Sequence, residues 1–465
     1  MPALTDLTIA EAGRRIARGV LSPVDLVSAQ LERIEAVDGR LHSFIRLLAK
    51  DALREARRAE RTIRAGGYLG PLHGIPVGLK DVIETKGVAT TAQSKIHEQH
   101  VPAADATVVR RLRAAGAIIL GKLTTHEFAI GGPSFDLPWP PARNPWNLDR
   151  FTGGSSSGSG AAVAAGLVSG ALGTDTGGSI RTPAAFCGIA GLKPSYGLVS
   201  RAGVIPLAFS LDHCGPMAWT AEDCALMLDA MAGFDPADPA SVSVRPQRYA
   251  RHAKTDIAGM RIGVVRHFYE RDLEASAEVH RGIEAALKVL RGLGAKLVTV
   301  ELPRLAEWDT CALVLTHAEG YAVHESNFKS RPGSYGKVAR ERLLAGAMLR
   351  ASDYIQAQRQ RRRLSVRYAE AMANLDGLIT ASVLDEPSRI DEMVPWSSLK
   401  PRQRMASTPF NVTGAPALVV CVGLSSNGLP LAMQIAAKPF DDGIALAIGR
   451  AYERATNWRS LRPPL

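Results

Sequence analysis

Two serines in this chain stand in turns built almost wholly of glycine and hydroxyl side chains. Ser155 lies in GGSSSGSG (153–160), and Ser179, 24 residues on, lies in TDTGGSIRTP. Upstream, Lys80 is set in a markedly apolar run, GIPVGLKDV. A serine hydroxyl attacks a carbonyl only when a base takes its proton. Neither turn contains a histidine, and His73 and His126 stand isolated in the sequence. A lysine can do that work if burial disfavours its charged form, and Ile75, Val77, Leu79 and Val82 are placed to bury Lys80. The second serine would relay the proton. Backbone N–H groups of Thr176, Gly177 and Gly178, with that of Ser179, would form an oxyanion hole, because glycine lets the backbone approach a tetrahedral intermediate. Together these positions make a Ser–Ser–Lys arrangement for acyl transfer. Taken one by one, plainer readings stay open. A Gly/Ser run also serves as a flexible linker, Ser156 and Ser157 adjoin Ser155, and Lys80 followed by Asp81 reads equally as a surface ion pair.

The elements around these positions alternate. Ser22-Pro23 is an N-cap and first-turn pair, followed by Val24, Leu26, Val27, Leu31 and Ile34 at helical spacing. A further helix is expected over 51–66, so residues 1–67 read as helical. From Pro71 short apolar strands alternate with helices: GIPVGLKDV, then a helix ending at Gly116 and AIIL as a strand. After the Gly/Ser run, AAVAAGLV reads as a small-residue helix and SGALGTD as a strand. A Pro/Asp/Arg-rich stretch near 235–255 precedes further α/β segments, a mostly helical portion to about 375, and a strand, DGLITASV. PALVVCVGL and LPLAMQIAAK, separated by SSNG, read as two paired strands. The pattern predicts an α/β fold with a buried sheet covered by helices on both faces. It is read as one interleaved domain over 1–465, with core segments 71–235 and 376–465 and an α/β and helical insertion at 256–375.

Composition narrows the function classes. The chain has 465 residues, 46% hydrophobic and 22% charged, ordinary values for a globular protein. A net charge of +11 from 56 Lys+Arg against 45 Asp+Glu is a mild excess that does not by itself imply nucleic acid. The densest basic run, RQRRRLSVR (359–367), reads as a solvated helix face. Cys187, Cys214, Cys224, Cys311 and Cys421 are scattered without metal-type spacing, as expected of buried apolar residues in a reducing compartment. The N-terminus lacks the apolar core of a signal peptide, and no run is long enough to span a bilayer, so a cytoplasmic location is expected. No phosphate loop, metal cluster or dinucleotide fingerprint is present, and no cofactor is expected.

The block from Gly153 to Gly197, together with Lys80, resembles the amidase signature family of serine hydrolases. GGSSSGSGAA, DTGGSIRTPAAFCGIAGLKPSYG, SLDHCGPMA (210–218) and TPFNVTGAPAL (408–418) are similar to that family's motifs, in its order, and the resemblance runs from about residue 5 to residue 460. It implies a large mixed β-sheet sandwiched between helices. It also implies Ser179 as the acylated nucleophile, Ser155 as a bridging serine on a cis peptide, Lys80 as general base, and Thr176, Gly177 and Gly178 as oxyanion donors. Arg181 and Asp175 are expected to pin the nucleophile turn.

Two activities compete. One is a free-standing amidohydrolase that converts a small-molecule amide to a carboxylate and ammonia. The other is the glutaminase component of a tRNA-dependent amidotransferase, whose partners would include further subunits and tRNA. Such components carry an acidic residue a few positions before TP-x-N to receive the glutamine amino group. Here PRQRMASTPFN (401–411) puts Arg404 at that position, which favours the hydrolase. Arg404 or Arg342 is expected to face the acyl pocket and select amides with a distal carboxylate, whereas Trp139 and Trp146 suggest an apolar pocket. The family resemblance allows a homodimer.

Overall fold

The computed structural model describes residues 3–245, 247–393 and 404–465. Its short apolar runs become strands, eleven of which pair into one sheet. In chain order they are β1 (Phe44–Leu47), β2 (Pro76–Lys80), β3 (Ile118–Leu123), β4 (Gly170–Asp175), β5 (Ala190–Lys193), β6 (His213–Ala218), β7 (Arg261–Val264), β8 (Lys296–Thr299), β9 (Gly377–Ala381), β10 (Ala417–Leu424) and β11 (Pro430–Ala437). Across the sheet they lie in the order β1-β3-β2-β4-β6-β5-β10-β11-β9-β7-β8.

The sheet is mixed. β2 runs parallel to both β3 and β4, and β7 runs parallel to β8 and β9. Between these groups β6, β5, β10 and β11 pair antiparallel. Every residue of β2, β3, β4 and β9 is buried, as continuous apolar strands covered on both faces should be. Side chains alternate between the faces: Leu418 and Val420 belong to one buried cluster and Val419 to the other.

Five helices bear on the candidate site: α1 (Ser157–Ala164), α2 (Arg181–Cys187), α3 (Leu305–Ser330), α4 (Lys337–Leu344) and α5 (Ala351–Met372). Helix α5 carries the basic run 359–367 and packs on α3, in the segment expected to be mostly helical. Ser22 caps the Pro23–Leu41 helix by accepting from Val24 N–H at 2.9 Å. SSNG joins β10 and β11 as an antiparallel hairpin.

Two segments differ from the expectations. Phe44–Leu47, inside the supposedly helical first 67 residues, is an edge strand antiparallel to β3. Four residues are too few for their alternation to register as a pattern. Helix α1 begins at Ser157, inside the Gly/Ser run, rather than after it. Glycine and serine are poor helix formers, and burial of every residue of α1 overrides that propensity.

Candidate active site

β2 and β4 lie side by side and parallel, Leu79 level with Leu172, so both strands end at one edge of the sheet. The crevice beyond the carboxyl ends of parallel strands is the usual place for ligands in α/β sheets. Lys80 is the last residue of β2, and Thr174 and Asp175 close β4. Lys80 is completely buried. Its Nζ donates to Ser155 Oγ at 2.6 Å and to Thr174 Oγ1 at 2.7 Å. Burial pulls the Lys80 amine down to about 7, against Asp175, Asp212 and Cys214, which favour its charged form. Asp81 does not pair with Lys80. It meets Lys122 at 3.3 Å and accepts from Thr91.

The Gly/Ser run is ordered and held against the turn that carries Ser179. The Gly154–Ser155 peptide is cis. Ser156 N–H donates to the Ser179 carbonyl at 3.1 Å, and His126 N–H donates to the Ser155 carbonyl at 3.0 Å. Gly154 is packed so closely on the His126 ring that a Cβ there would lie 2.2 Å from Nε2. Ser155, Ser179, Thr176, Gly177 and Gly178 all line one cavity of about 110 Å³.

Asp175 organises the turn after β4. Its carboxylate accepts from the backbone N–H of Gly178 at 2.7 Å and of Ile180 at 3.1 Å, and forms a two-point ion pair with the Arg181 guanidinium at 2.9 and 3.0 Å. Burial alone would push Asp175 up. Arg181 and Asn411 outweigh it and hold the carboxyl well below its usual range. Arg181 in turn donates to the Ser407 carbonyl, Gln434 and Asn411. Asp175 and Arg181 thus pin the turn. Gly178 is a partial exception to the oxyanion expectation: its N–H is engaged by Asp175. The oxyanion expectation is thereby carried to the N–H groups of Thr176, Gly177 and Ser179.

Arg342, on α4, is buried and lines the same cavity. Arg404 is not brought there. Its guanidinium pairs with Asp385, Nε lying 2.7 Å from Oδ2, and also donates to the Glu274 carbonyl. The Asp385 carboxylate draws the side chain away, and Met405 lines the cavity instead. Neither Trp139 nor Trp146 lines it. Trp146 Nε1 donates to the Cys187 carbonyl and Phe151 supplies the aromatic wall.

Sequence reasoning set His126 aside as isolated and passed over Thr174. His126 Nδ1 lies 3.2 Å from the Gly131 carbonyl, and burial first, then the Lys80 charge, pushes the imidazole down to about 3. A ring so held stays neutral and is a poor rival to Lys80 as base. The signal for Thr174 was its place one residue before Asp175 on a strand parallel to that of Lys80.

Comparison with known proteins gives the family and the fold. The sequence matches the Amidase family over residues 25–446. The chain belongs to the amidase family. It is an amide-hydrolysing enzyme with the mixed sheet and flanking helices of that family's structures. Over its whole length it is 39% identical to the A subunit of the glutamyl-tRNA(Gln) amidotransferase of Chloroflexus aggregans, 99% of which is covered. Native peptide amidase from Stenotrophomonas maltophilia superposes with a TM-score of 0.85 at 34% identity, 98% of each chain covered. A chain described as part of a vestigial protein complex that reveals the origins of an s-triazine catabolic enzyme gives 0.90 at 33% identity, with 96% of this chain and 98% of that one covered. Among the described residues no helix is long and apolar enough to cross a membrane.

Proposed function

We propose that this enzyme hydrolyses a carboxamide through an acyl-enzyme on Ser179. The observation that carries the reading is the Lys80–Ser155 contact at the cavity that Ser179 also lines. Neutral Lys80 takes the Ser155 proton while Ser155 takes that of Ser179. Ser179 Oγ bonds to the carbonyl carbon, and the carbonyl oxygen becomes an oxyanion facing the N–H groups of Thr176, Gly177 and Ser179. The C–N bond then breaks, and the proton held on Lys80 returns through Ser155 to the leaving nitrogen, releasing ammonia. Water, deprotonated by the same relay, cleaves the ester and restores Ser179.

The acyl group of the substrate would lie in the cavity that Ser179 lines. Among the described residues that cavity is lined by one cation, Arg342, and by no carboxylate. Residues 394–403, outside the described part, contain no Asp or Glu. A guanidinium binds a carboxylate well, while the described lining of this cavity offers a substrate ammonium group no carboxylate. This favours a free-standing amidohydrolase for an amide that bears a carboxylate and lacks an amino group.

A second reading rests on the relatives. Whole-length identity of 39% to the A subunit of a glutamyl-tRNA(Gln) amidotransferase supports a glutaminase component more directly than a free hydrolase. The two differ in what the isolated chain does. Purified alone and offered aliphatic, aromatic and carboxylate-bearing amides and glutamine, with Ser179→Ala as control, a free hydrolase releases ammonia from one amide class. Ammonia from glutamine only, and only after partner subunits and tRNA are added, would establish the second reading and remove the first.

A further inference from the structure

Asp212 sits in the SLDHCGPMA segment just before β6, and the catalytic scheme above gives it no part. Its carboxylate makes three hydrogen bonds to two separate segments of the site. Oδ1 accepts from Thr176 Oγ1 at 2.6 Å. Oδ2 accepts from Leu207 N–H at 2.8 Å and Ala208 N–H at 2.9 Å. Thr176 belongs to the turn that carries Ser179 and Leu207 to a separate segment, and both line the Ser179 cavity. The same two residues also line a second chamber, of about 680 Å³. Asp212 faces this second chamber beside Thr174, the residue whose hydroxyl accepts the second hydrogen bond of Lys80.

We propose that Asp212 is a positioning residue of the reaction: its buried carboxylate ties the oxyanion turn to the cavity wall and supplies a negative charge beside Lys80. The inference rests on Lys80 being the base. Leu207 and Ala208 N–H donate to Oδ2, and the Thr176 hydroxyl is within hydrogen-bond distance of Oδ1, an arrangement that accommodates the carboxylate form. Burial pushes the acid up, while the bonds from Thr176, Leu207 and Ala208, and then the Arg201 charge, oppose it. Four groups bear on Lys80: Asp175 at the end of β4, Asp212 and Cys214 at the start of β6, and His126 after β3, which stays neutral. Asp175 is committed to Arg181. Asp212 has no such guanidinium pair at its carboxylate oxygens among the described residues, so its charge is less cancelled at Lys80.

The two roles separate by substitution. Asp212→Asn keeps the shape and, with its amide turned toward Thr176, keeps the tie, but removes the charge. A neighbouring anion favours ammonium over amine, so its loss lowers the pH at which Lys80 becomes neutral. The rising limb of kcat/KM should move to lower pH by about one unit, with a lower plateau because a weaker base takes the proton. Thr176→Val keeps the charge and cuts the tie. It should lower kcat by about tenfold with the limb unmoved.

Rates across pH for wild type, both variants and Lys80→Ala decide the matter, with circular dichroism to confirm folding. A limb that belongs to Lys80 and does not move in Asp212→Asn overturns this inference alone, as does wild-type kcat in Thr176→Val. A limb that survives in Lys80→Ala removes the lysine as base and the inference with it. If Asp212→Asn fails to fold, Thr176→Val decides, and wild-type kcat there overturns the proposal.

Discussion

The Lys80 amine meets Ser155 at 2.6 Å, while its sequence neighbour Asp81 turns away to pair with Lys122 at 3.3 Å. Had Asp81 met Lys80, the lysine would have been held as a cation and would have had no lone pair to offer. A second buried lysine takes that acid, and burial is then free to pull Lys80 down to about 7.

The pH dependence follows from that. In the proposed scheme Lys80 works only when neutral, so activity should be lost as pH falls through about 7 and should reach a plateau above it. Initial rates of ammonia release from about pH 5 to pH 9 should give this rising limb, and full activity in Lys80→Ala would sink the scheme.

Replacing the two serines should have unequal consequences. Ser179→Ala removes the atom that is acylated, and turnover should fall by roughly 10⁴-fold or more. Ser155→Ala removes only the relay, and a residual rate reduced by about 10²- to 10⁴-fold is expected. Trapping a labelled acyl group on Ser155 instead of Ser179 would reverse the assignment.

Gly154→Ala tests the packing of the Gly/Ser run. The added methyl would lie 2.1 Å from His126 Cε1, so the ring or the loop must shift. A displacement of this size should lower kcat by about 10²-fold in a protein that still folds. Combining it with His126→Gly should restore part of the rate, and no restoration would show that the clash is not the cause.

Arg342 and Arg404 should now behave differently. Arg342→Ala is expected to raise KM for a carboxylate-bearing amide by about tenfold or more and leave a neutral amide little changed. Arg404→Ala should leave that selectivity as it is, since its partner is Asp385. Equal losses on both substrates in Arg342→Ala would remove the carboxylate subsite.

Arg181→Ala leaves the Asp175 carboxylate buried without its guanidinium. Breaking such a pair typically costs about 3–5 kcal/mol, and urea denaturation should report a loss of that order. A change under about 1 kcal/mol would mean that Asn411 and the turn N–H groups suffice.

Much of this site could be read before any coordinates. The alternation around residues 71–235 carried the sheet, and Lys80 stood out because four apolar neighbours surround one charge. Other features depended on contacts between distant segments. Asp212 and Thr176 are 36 residues apart and touch only because β4 and β6 pair antiparallel, Asp175 level with His213. Arg404 misled because position along the chain says nothing of Asp385, 19 residues earlier, which turns the side chain aside. The Gly178 N–H likewise looked available until the carboxylate three residues before it was seen to occupy it.

The anchoring of Arg181 has a bearing on the life of the enzyme in the cell. Ser407, Asn411 and Gln434, which hold its guanidinium, lie in the last sixty residues of the chain. A ribosome delivers base, relay and nucleophile early and their brace last. Partly made chains should therefore be inert toward amides, and a chain ending before Met405 should fail to acquire an acyl label.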